Sequence, residues 1–114
     1  MSENVLNMDE ALERIGGDKE FLFELLNEFI SQMERDLPAL SKAVEAGDFE
    51  NIGLIAHSLR GAAGNLSVTT IYRALSEIES LVNEKRNDKM APILEEVYTQ
   101  ESELRRFLQG KQKS

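Results

Sequence analysis

Residues 21–44 read FLFELLNEFISQMERDLPALSKAV, and the spacing of their apolar side chains decides the fold. Phe21, Leu22, Leu25, Leu26, Phe29, Ile30, Met33, Leu37, Leu40 and Val44 recur at steps of three and four. That spacing places them on one stripe of a helix, not on the alternating faces of a strand. A long amphipathic helix follows. Its start is marked by Gly16, Gly17 and Asp18, whose carboxylate can accept from the free N–H groups of the first turn. Its end is marked by Gly47, which tolerates a left-handed backbone. Pro38 lies inside the stripe without shifting its phase, so the sequence predicts a kink with one missing backbone hydrogen bond and not a helix boundary.

Outward from this helix the same period recurs. Upstream, Asn7 followed by Glu10 reads as a capping box, and Leu12 with Ile15 gives a short helix over about residues 8–15 that lids one end of the core. Downstream, Asp48 can cap a helix whose inward stripe is Phe49, Ile52, Ile55, Ala56, Leu59, Ala63 and Leu66. Ser67 offers a cap for the next, which carries Val68, Ile71, Leu75, Ile78 and Val82. The polar stretch from Glu84 to Asp88 reads as a turn. Asp88 can then start a last helix with Pro92 in its first turn and Met90, Ile93, Leu94, Val97, Leu104 and Leu108 on its apolar side. Residues 109–114 read as a loose tail. No stretch shows a period of two. The expected fold is all-α: four long helices in an antiparallel bundle, with a short additional N-terminal helix, forming a single domain over residues 1–114.

Composition narrows the function classes. The chain of 114 residues carries 21 acidic and 13 basic side chains, and a net charge of −8 repels nucleic acid and anionic lipid. Neither is an expected partner. There is no cysteine, so disulfides and thiolate metal sites are excluded and stability must come from packing. No apolar run approaches the roughly 18 to 20 residues that span a bilayer. The opening Met-Ser-Glu-Asn lacks the basic, then apolar, order of a secretory signal. A soluble, cytoplasmic protein is the expectation. The basic residues Arg105, Arg106, Lys111 and Lys113 gather near the last helix's C-terminus, where positive charge complements the helix dipole.

One segment exceeds what a core needs. Gly53, Gly61 and Gly64 all fall within the helix after Asp48, although each interior glycine costs roughly 1 kcal/mol relative to alanine. With His57 and Arg60 they lie three, four or seven positions apart, on a face turned away from Ile52, Ile55, Ala56 and Leu59. The histidine, unique in the chain, is therefore expected on an outward strip with little bulk beside it, open to a second protein. Arg60, one turn on, can aim a planar cationic fork at any anion held by His57. A plain surface histidine, with the glycines relieving helix packing, is the competing reading.

The segment Ala56-His57-Ser58-Leu59-Arg60-Gly61-Ala62-Ala63-Gly64-Asn65-Leu66 closely resembles the signature of histidine-containing phosphotransfer domains, Ala-His-x-Leu-Lys-Gly-x-Ala-x-x-Leu. The resemblance extends to Ala11-Leu12, Ile15-Gly16-Gly17-Asp18, Leu25-Leu26 with Phe29, and Gly47-Asp48. It departs at Arg60, where the family commonly has lysine, and at Ser67, where many members have glycine. The resemblance implies a four-helix bundle presenting a phosphorylatable histidine on its second bundle helix. His57 would accept a phosphoryl group from a receiver-domain phospho-aspartate and pass it to another receiver aspartate, in either direction, with Nε2 as the acceptor nitrogen. Arg60 would neutralise phosphoryl oxygens. Glu79 stands where relatives often place glutamine or glutamate, a candidate to orient the ring or simply one of a solvated row with Glu77 and Glu84.

An ordinary imidazole, with a pKa near about 6.5, has a free ring lone pair at neutral pH and needs no added base to attack phosphorus. The divalent cation and the aspartate nucleophile would belong to the receiver. No metal, nucleotide or other cofactor is therefore expected here, and the domain reads as a carrier, not a turnover enzyme. Expected partners are response-regulator receiver domains and a hybrid sensor histidine kinase, met by a monomer. The rival readings are a phosphorylation-independent helical adaptor that docks receivers or kinases, an enzyme using His57 as general base, and a purely structural bundle.

Overall fold

A computed structural model describes residues 4–112 of the chain, with side chains for residues 4–110. Five α-helices form: α1 (Met8–Arg14), α2 (Lys19–Ala46), α3 (Phe49–Asn65), α4 (Thr69–Asn83) and α5 (Met90–Gln112), with a 3-10 turn at Asn87–Lys89 before the last. The connections Gly47–Asp48 and Leu66–Val68 are too short for anything but reversal, so consecutive long helices run antiparallel. α2 packs on α3, α3 on α4, α4 on α5 and α5 back on α2, closing a four-helix ring with α1 against α2. No described helix is long and apolar enough to cross a membrane.

The ring closes around the predicted stripes. Leu22, Leu26, Met33, Leu37 and Leu40 of α2 meet Ile52 and Leu59 of α3, Ile71, Leu75 and Ile78 of α4, and Met90 and Leu104 of α5, all of them fully buried. Each such side chain contributes roughly 1.5–3 kcal/mol by leaving water. Phe21 does not join them and is 45% exposed. At about 100° per residue it lies on the far side of the helix from the centre of the buried stripe. α2 runs continuously through the exposed Pro38.

Three predicted caps form: Asn7 accepts from the N–H of Glu10, Asp18 from that of Phe21, and Asp48 from that of Asn51. The capping box closes on one arm only. Glu10 accepts from the side-chain amide of Asn7 at 3.3 Å, while the backbone N–H of Asn7 donates to the carbonyl of Ser67 at 2.9 Å. Two other caps do not form as the sequence suggests. The carboxylate of Asp88 is taken by Arg86 in two contacts of 3.1 Å, so the last helix begins after a 3-10 turn instead. Residues 109–112, expected to be loose, continue α5, anchored just before by the buried Leu108; residues 113–114 lie outside the described residues.

Ser67 is the instructive correction. It does not cap α4, whose N-cap is Val68 with no side-chain bond. It sits instead at φ +57°, where the N–H of Val68 reaches the carbonyl of Ala63 at 2.9 Å and its own N–H that of Gly64 at 3.2 Å. This is the paired closure of a helix C-terminus that calls for a left-handed residue, the position glycine fills at Gly47. The serine hydroxyl there is buried and has no hydrogen-bond partner among the described residues. Ser67→Gly is therefore expected to stabilise the domain by about 1 to 2 kcal/mol, from relief of the left-handed conformation and of the unpaired hydroxyl. A thermal melt checks this; an unchanged or lower Tm contradicts it.

Candidate functional site

His57 lies mid-way along α3, and its side chain is 69% exposed. The helix wheel explains its surroundings. Ile52, Ala56, Leu59 and Ala63 point into the core, Arg60, Gly53 and Gly64 lie on the flank that meets α4, and His57, Gly61 and Leu54 lie further round towards solvent. Leu54 is 64% exposed. The three glycines therefore do different things. A Cβ on Gly53 would meet Val82 at 3.7 Å, and one on Gly64 would meet the Tyr72 ring at 3.1 and 3.2 Å, whereas one on Gly61 would have nothing within 4 Å. The bare strip expected from Gly53, Gly61 and Gly64 together reduces to Gly61; the other two admit side chains of α4.

Arg60 and Glu79 come together at the histidine. Arg60 donates through Nε to Glu79 Oε1 at 2.5 Å, and its Nη2 lies 3.2 Å from Nδ1 of His57. Glu79 Oε2 lies 3.3 Å from the same nitrogen. Glu79, read above as either orienting or solvated, is half-buried and occupied on both oxygens. The adjacent carboxylate pushes the Arg60 guanidinium pKa above its ordinary value, so the group stays cationic. Nε2 of His57 makes no hydrogen bond to any described residue.

Tyr72 is the residue that sequence reasoning missed. Its ring lies 5.8 Å from the Arg60 guanidinium carbon, a cation–π distance, and occupies the space that Gly64 leaves open. Its position seven residues before Glu79 puts both on one face of α4, which is the signal that could have revealed it. Ser58 is exposed and turned towards α2, accepting from Gln32 at 3.3 Å. Arg105, near the far end of α5, bridges Glu34 of α2 at 2.6 Å and Glu101 at 3.6 Å, and Arg106 pairs with Glu103. The side chains of Lys111 and Lys113 lie outside the described residues. Among the described residues no cluster of histidine, aspartate and glutamate could hold a metal ion.

An exposed imidazole beside a guanidinium that stays charged has the parts to receive a phosphoryl group: a nitrogen lone pair and a cation for the oxygens. The comparisons with known proteins agree with this chemistry. The Hpt domain family matches residues 24–110. The phosphorelay intermediate protein rdeA of Dictyostelium discoideum is 32% identical over 74 residues, which cover 65% of this chain and 28% of that protein. The chain thus matches little more than a quarter of that relative's length. No solved structure matches. With the family match running from within α2, through α3 and α4, into α5, the chain belongs to the Hpt domains, the histidine phosphotransfer modules of phosphorelays.

Proposed function

We propose that His57 is the phosphoacceptor, taking a phosphoryl group from the phospho-aspartate of one receiver domain and delivering it to the aspartate of another. The lone pair of Nε2 forms the N–P bond as the P–O bond to the donor aspartate breaks and its carboxylate leaves with the electron pair. The observation that carries this reading is the 69% exposure of the imidazole beside the Arg60–Glu79 pair. Arg60 neutralises the equatorial oxygens in flight, which is most of what phosphoryl transfer asks of an acceptor. The receiver supplies the divalent cation. The domain is a carrier, acting as a monomer in the cytoplasm, with the receiver of a hybrid sensor histidine kinase as one fitting donor.

The test is to incubate the domain with a panel of phosphorylated receivers and follow the label. The expected label is acid-labile and base-stable, as phosphohistidine is. Arg60→Ala should take it about tenfold more slowly while remaining helical, since a positioned cation in the transition state is worth at least that much even when partly solvated. A wild-type domain that binds receivers without ever taking label overturns the reading in favour of the adaptor.

A further inference from the structure

The two contacts to Nδ1 of His57 exclude each other chemically. A neutral imidazole has one N–H and one ring lone pair. Arg60 has only donors, so Nη2 at 3.2 Å requires the lone pair at Nδ1 and leaves the proton on Nε2. An ionised Glu79 has only acceptors, so Oε2 at 3.3 Å requires Nδ1–H and leaves the lone pair on Nε2. Only the second form is nucleophilic at Nε2, the nitrogen without a hydrogen-bond partner among the described residues. The two rivals for Nδ1 are themselves bound together, Arg60 Nε to Glu79 Oε1, so neither can leave the ring's vicinity while that pair holds.

We infer that Arg60 gates His57 through its tautomer: at rest the guanidinium donates to Nδ1 and keeps Nε2 protonated, and an arriving phosphoryl group opens the gate by drawing the guanidinium onto its own oxygens. This rests on His57 being the phosphoacceptor. The energetics favour the exchange, because a guanidinium bonds an anionic phosphoryl oxygen more strongly than a neutral ring nitrogen. Once Nη2 of Arg60 swings off Nδ1, Nε2 gives its proton to solvent, Nδ1 takes one and shares it with Glu79 as a hydrogen bond, and the ring's net charge is unchanged. Nε2 then attacks. The phosphorylated ring retains the Nδ1 proton and carries positive charge, which the Glu79 carboxylate faces. For onward transfer the N–P bond breaks, its electron pair returns to Nε2, and the ring leaves neutral. Glu79 is a positioning residue in both directions, and Tyr72, against the guanidinium and in the space at Gly64, keeps Arg60 within reach of both partners.

The test reads the ring directly, by 15N imidazole shifts of the unphosphorylated protein at a pH well above the ordinary imidazole range. Arg60→Ala is expected to raise the Nδ1–H population roughly threefold or more, the yield of a charge-assisted hydrogen bond discounted for exposure. Adding Glu79→Ala to that variant should erase the rise. Inorganic phosphate, standing in for the phosphoryl group, should raise Nδ1–H in wild type and not in Arg60→Ala. Equal tautomers in wild type and Arg60→Ala, a rise that survives loss of Glu79, or a wild-type ring indifferent to phosphate would each overturn the gate. The two readings fail separately. Label without tautomer shifts removes the gate and keeps the relay, whereas tautomer shifts without label from any receiver remove the relay.

Discussion

His57→Gln is expected to abolish acid-labile labelling by every receiver while leaving helical content and Tm essentially unchanged. The chemical half of this outcome is simple. A glutamine amide reaches similar space, but its nitrogen lone pair is delocalised into the carbonyl and cannot attack phosphorus. The structural half follows from position. The imidazole is 69% exposed, and glutamine suits a helix interior at least as well as histidine. No buried charge is left unpaired, because Glu79 retains Arg60 at 2.5 Å, so the change stays within about 0.5 kcal/mol, as for most surface substitutions. Parallel labelling and circular-dichroism melts check both halves. Residual acid-labile label would place the acceptor elsewhere, and a collapsed melt would make His57 a structural residue whose loss says nothing about transfer.

Most of the architecture was legible because a helix buried on one side writes its core stripe at intervals of three and four. α2, α3, α4 and α5 were all found from that pattern, and the caps Asn7, Asp18 and Asp48 from the chemistry of free N–H groups. What the pattern cannot do is name the neighbour. It separates inward from outward, but Gly53 and Gly64 lie on the flank between, and only the packing of α4 distinguishes them from Gly61. Tyr72 was missed for the same reason: its spacing puts it on one face of α4 with Glu79, but nothing local to α4 says that this flank meets the helix carrying Arg60. Ser67 failed differently. Serine is a good helix cap, and the left-handed backbone it adopts at φ +57° is fixed by how α3 ends, against serine's own preference. Arg60 came from its helical spacing to His57 and Glu79 from the family resemblance, yet their meeting on one ring nitrogen is a matter of distances that no spacing encodes.

Gly61→Leu is expected to raise stability and slow transfer from every receiver on the order of 100-fold. The gain in stability comes from the backbone: leucine in an exposed helix interior is favoured over glycine by up to about 0.8 kcal/mol, and a Cβ here meets nothing within 4 Å. The loss in transfer comes from direction. Side chains in a helix lean towards its N-terminus and cover the residue four positions earlier, which for position 61 is His57. A leucine would therefore lie across the approach to Nε2 and hold an incoming phospho-aspartate away from in-line attack, and a misplacement of about 1 Å can cost about 100-fold. Gly61→Ala separates the two effects, since it gains the helix propensity without the reach: its Tm should also rise while its transfer rate stays near wild type. The pair is read by thermal melts and by single-turnover labelling from one receiver. Should Gly61→Leu take label at the wild-type rate, receivers must come to His57 from the Leu54 side, and the open position at Gly61 would play no part in access.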